Sequence, residues 1–254
     1  MRLVHILPSW VNWRVGANLT ASGLKPCDGF YLKGSLHDDE NDPAETRRAA
    51  ETLRSLGFLV IPGCNVFCGR NSLADWTSPT TWRHVAAWID GMAEPGSDWC
   101  LDFEAYWSSG QKYPSVEWVR TLAGVITPVI DIARDLDLRL HLLPGIHYGF
   151  ALALAAALPG KIVDCDEATY AYGDPERRDK VAAERGFATW SDDLLARKAG
   201  VEAMGIEYRP GFHFPGLIDP VVQERMTQKD LKALNTWYYL GAADYPAFGK
   251  EITE

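Results

Sequence analysis

Two carboxylates, Asp102 and Glu104, close an apolar run in the stretch Asp98-Trp99-Cys100-Leu101-Asp102-Phe103-Glu104-Ala105-Tyr106-Trp107. Alternate residues of a strand point the same way, so this spacing predicts that both acids share a face with Cys100 and Tyr106. Acids on one side of a buried strand are unfavourable unless they are paired, hydrogen-bonded or used. Two carboxyl groups confined to a small site cannot both ionise easily, so one of them keeps a proton. A proton donor beside a carboxylate is what cleavage of a glycosidic bond requires. Glu104 lies nearer the strand end and is the expected general acid, with Asp102 as its deeper partner. A salt-bridged structural network is the plain alternative for the same pair.

The rest of the chain must hold this stretch in place. Short apolar runs recur at Leu3–Leu7, Gly29–Lys33, Phe58–Ile61, Trp99–Phe103, Leu138–Leu143, Lys161–Cys165, Gly205–Tyr208 and Thr236–Leu240. Helical spacing is predicted for Ala44–Leu56, Trp82–Met92, Val116–Leu136, Ala182–Ala203 and Val221–Leu234. Asp42-Pro43, Ser78-Pro79, Asp174-Pro175 and Asp219-Pro220 each set a capping side chain before a proline at the first helical position. Asp42 with Glu45 also fits a capping box. Eight strands alternating with helices in 254 residues predict an α/β chain forming a single (β/α)8 TIM barrel over residues 1–254. An open doubly wound sheet is the other architecture, but no Gly-x-Gly-x-x-Gly follows an early strand.

Bulk properties narrow the function. A net charge of −9 argues against a nucleic-acid backbone as partner. No apolar run approaches the roughly 20 residues that span a bilayer, so no membrane partner is expected. The segment Met1–Pro8 has no cleavage-like site, and the expected location is cytoplasmic. Five scattered cysteines fit a reduced chain rather than a disulfide framework. Cys64-x3-Cys68 has Asn71 where a third cluster ligand would stand, so no metal or other cofactor is expected.

Sites in such barrels lie at the C-terminal ends of the strands. The residues expected there are rich in Trp, Tyr, Asn and carboxylates. Trp10, Trp13, Trp76, Trp107 and Trp237 fall at that end, whereas Trp82, Trp88 and Trp118 have the spacing of helix packing. Aromatic rings cover the apolar face of a sugar, and polar side chains take its hydroxyls. The expected partner is therefore a glycan, with Trp10, Trp13, Trp107, Asp166, Glu167, Glu207, His213, Trp237 and Tyr239 as candidate binding residues.

The stretch around Asp102-Phe103-Glu104 resembles the family 18 glycoside hydrolases, the chitinase-like barrels, whose fourth strand carries D-x-x-D-x-D-x-E. The resemblance implies that Glu104 is the acid and that Asp102 orients a substrate acetamido group acting as nucleophile. Ser97 and Cys100 stand where the first two acids would be. In Ala168-Thr169-Tyr170-Ala171 only Tyr170 is kept from that family's Met-x-Tyr-Asp, and it is carried over as a catalytic candidate. Trp237 matches the strand-eight Trp. Family 25 lysozyme-like barrels are similar in carrying Asp-x-Glu on a middle strand. A second glycosidase arrangement would pair Glu104 with a strand-seven nucleophile, Glu207.

Two other functions fit parts of the same pattern. Glu104, Asp166 or Glu167, His147 and His213 could converge on a divalent ion in a metal-dependent hydrolase or isomerase. A non-catalytic carbohydrate-binding barrel would explain Ser97 and Cys100. His5 and His141 lie inside apolar runs and are expected to be satisfied core or barrel-interior residues.

Overall fold

Short runs rich in branched and aromatic residues, bounded by turn residues, become the strands of a parallel sheet. The computed structural model of the chain describes residues 3–6, 29–35, 43–65, 78–102, 124–143, 154–168, 180, 182–183, 186–213 and 237–239. The strands are β1 Leu3–Ile6, β2 Gly29–Ser35, β3 Leu59–Asn65, β4 Asp98–Asp102, β5 Arg139–Leu143, β6 Ile162–Ala168, β7 Glu207–His213 and β8 Trp237–Tyr239. All pairings are parallel and follow chain order, and β1 also pairs with β8, so the strand order is closed. The chain is α/β, as expected. Strands β3, β6 and β7 run on past the apolar stretches that predict them, to Asn65, Ala168 and His213. An apolar run marks the part of a strand buried on both faces, while backbone pairing continues beyond it.

The described helices are α1 Pro43–Ser55, α2 Pro79–Met92, α3 Thr127–Asp135 and α4 Trp190–Glu202. Helix α1 buries Thr46, Ala49, Ala50 and Leu53, one stripe at helical spacing. These are mostly small side chains, so α1 sits close to the sheet. The neighbouring α2 buries Trp82, Val85, Trp88 and Ile89. Both tryptophans thus do the helix packing expected of them. Gly34 of β2 admits this arrangement, because a Cβ there would lie 2.6 Å from both Thr46 Oγ1 and the Trp88 ring.

The helical expectations need correcting in three places. The helix expected over Val116–Leu136 is broken at Ile126, and α3 starts afresh at Thr127 with Pro128 in its first turn. Proline has no N–H to donate and clashes with the preceding turn, so it opens a helix instead of continuing one. The helix expected over Ala182–Ala203 is interrupted by Gly186 at φ 88°. Thr189 then caps α4, its hydroxyl oxygen accepting the Asp192 N–H at 3.2 Å. Ser78 precedes Pro79 as expected, but its side chain makes no capping hydrogen bond. Asp42, Asp174, Asp219 and the helix expected at Val221–Leu234 lie outside the described residues.

The largest apolar cluster lies between strands and helices. Cys64, Trp99, Leu101, Leu140, Leu142, Ile162, Cys165 and Tyr208 pack there against Trp82, Val85, Trp88, Ile89, Val129, Ile130 and Ala133. Side chains alternate along a strand, so the residues between these face the barrel interior. On β4 that interior set is Asp98, Cys100 and Asp102; on β5 it includes His141, and on β6 Asp164.

Candidate active site

Asp102 is the last residue of β4 and has no solvent exposure. Its backbone is in register with Asn65 on β3 and Leu143 on β5. The strand therefore delivers Asp102 to its C-terminal end, the end where barrel enzymes carry their chemistry. Glu104 lies outside the described residues. Cys100 is buried on the same side of β4 and stands where the resemblance would put an acid. It approaches β3 closely: a Cβ on Gly63 would fall 2.2 Å from the Cys100 carbonyl oxygen. Only glycine permits that contact between the two backbones.

Burial pushes the Cys64 thiol up to about 12, and the negative charge of Asp102 adds to the rise. Cys64 is thus held as a thiol in this interior. Cys64, Cys100 and Cys165 are buried thiols, and Cys27 and Cys68 lie outside the described residues.

Below Asp102 the interior holds a polar network. The Tyr31 hydroxyl donates to Asp164 Oδ2 at 2.8 Å, and His141 Nδ1 lies 2.8 Å from the same oxygen. A carboxylate can only accept, so Nδ1 carries the hydrogen. Tyr31 Oη also lies 3.2 Å from Nδ1. Strands β2 and β5 are not sheet neighbours, so these contacts cross the interior. His141 is 5% exposed, and Tyr31 and Asp164 are fully buried. On its other side His141 Nε2 has no hydrogen-bond partner and faces Asp98 Oδ2 at 3.8 Å. Asp98 is held at the start of β4 by Arg139, with Nε at 2.6 Å and an Nη at 2.8 Å.

A register shift brings this network together. Leu140 pairs with Ile162, but His141 pairs with Asp164, so Val163 is an extra residue on β6. Such a bulge re-aims the side chains that follow it. Without it Val163 would oppose His141, and Asp164 would point toward the helices. His141 is the barrel-interior residue its apolar surroundings predict. Tyr31 and Asp164 were not singled out as its partners, because alternation counted along the sequence contains no bulge.

The remaining candidates are placed as follows. Trp10, Trp13, Trp107 and Tyr170 lie outside the described residues. The backbones of Asp166 and Glu167 fall late in β6, opposite Arg209 and Pro210. His213 ends β7, in register with Tyr239, and Trp237 opens β8 in register with Gly211 and Leu3. Glu207 stands early in its strand, as its sequence position suggests: β7 begins at Glu207 and pairs it with Asp164. A strand-seven nucleophile would stand at the other end of the strand. Among the described residues no group of three or more His, Cys, Asp and Glu is arranged to hold a metal ion, and His147 lies outside them. Among the described residues no helix is long and apolar enough to cross a membrane.

No protein-family model matches the chain, and no curated protein matches it. The fold is similar to solved structures. A family 18 chitinase from Pseudoalteromonas aurantia aligns with a TM-score of 0.53 at 9% identity, covering 100% of this chain and 99% of that one. A family 18 chitinase from Crocus vernus aligns with a TM-score of 0.50 at 11% identity, covering 99% and 98%. A D-allulose 3-epimerase from Methylomonas sp. in complex with D-allulose aligns with a TM-score of 0.49 at 13% identity, covering 94% and 83%. At these identities the likeness is one of fold alone.

Proposed function

We propose that the chain is a single (β/α)8 barrel that hydrolyses a glycosidic bond, with Glu104 as general acid and Asp102 as its partner. The observation that carries this reading is the position of Asp102. It is a fully buried carboxylate at the C-terminal end of β4, in a chain whose whole length follows the fold of two family 18 chitinases. If the strand direction continues, Glu104 stands on the same side as Asp102 and nearer solvent. Proximity of the two carboxyl groups favours a state with one proton between them. Glu104 gives that proton to the leaving oxygen, while Asp102 accepts from, and so orients, the group that attacks the sugar. Tyr170, Trp10, Trp13, Trp107, Trp237 and Tyr239 are proposed to line the sugar site, with Asp166, Glu167 and His213 supplying polar contacts.

A second reading rests on a specific observation. Cys100 is a buried thiol in the place of an acid, which suits a barrel that binds glycans without cleaving them. A hydrolysis screen over chitin oligomers, peptidoglycan and plant polysaccharide fragments separates the two. The enzyme reading expects turnover that a chelator leaves unchanged and that Glu104→Gln abolishes. Binding of a glycan without turnover would replace it by the second reading, and turnover lost with chelator would replace it by a metal-dependent one.

A further inference from the structure

We draw no further inference here: the strongest candidate, the cavity of about 270 Å³ at the N-terminal ends of β3 and β4 lined by Arg47, Glu51, Arg54, Leu59, Met92 and Asp98, sets basic and acidic side chains together around an apolar floor, and nothing in the structure shows what covers it.

Discussion

Replacing Tyr31 with Phe removes one oxygen from the barrel interior and leaves the ring in place. Tyr31 is fully buried, so no solvent takes over its role. Its hydroxyl donates at 2.8 Å to Asp164 Oδ2, an atom of a fully buried carboxylate. A hydrogen bond to a charged group contributes about 1.5–3 kcal/mol, and more of that is felt when the deprived partner cannot reach water. The ring volume is conserved, so no cavity term adds to it. Tyr31→Phe is therefore expected to be less stable by about 2 kcal/mol. For a chain of this length each kcal/mol moves the melting temperature by about 2–4 °C, so a fall of roughly 4–8 °C is expected. The assay is urea unfolding followed by circular dichroism, with the midpoint lowered and the slope unchanged. A midpoint equal to or above that of the wild type would refute the claim that this hydroxyl supports a buried carboxylate.

Other outcomes follow from single contacts. Gly63→Ala would drive a Cβ to 2.2 Å from the Cys100 carbonyl oxygen; backbone cannot yield as a side chain does, so a loss of about 3 kcal/mol or failure to fold is expected, read from the urea midpoint or soluble yield. The Cys64 thiol is raised from 9.0 to about 12, so its contribution to stability is complete below the unfolded value and is lost as pH rises from about 9 toward 12, by up to about 4 kcal/mol. Melts of wild type and Cys64→Ala compared over that range should converge as pH rises, and parallel curves would count against the burial. Thr189→Ala, which removes the cap of α4, is expected to cost about 1 kcal/mol, whereas Ser78→Ala, which removes no capping bond, should change little, as chemical denaturation of both would show.

The strands were legible because a buried parallel strand leaves an unbroken apolar run, as Leu138–Leu143 does around β5. Their ends were less so. Arg209 and Pro210 interrupt the apolar run of β7 but not its pairing, and this is why the strand runs on to His213. Helix α1 was readable from Ala49, Ala50 and Leu53 at helical spacing, whereas Leu56, which has the same spacing, lies past the helix and is exposed. The break before α3 had a local cause, Pro128, that a count of apolar residues overrides. Asp102 was legible from its type and spacing as a carboxylate at the end of a buried strand. The Tyr31–Asp164–His141 contacts were not, since Tyr31 lies more than 100 positions from both partners and the His141–Asp164 contact depends on a bulge at Val163 that leaves no mark in composition.

The central claim is that Asp102 and Glu104 perform acid chemistry on a glycosidic bond. Its most direct test is turnover of one bound glycan by wild type and Glu104→Gln, with binding of the same glycan measured alongside. Glu104→Gln is expected to bind as the wild type does and to turn over about 100-fold or more slowly. Turnover at the wild-type rate in Glu104→Gln would contradict it.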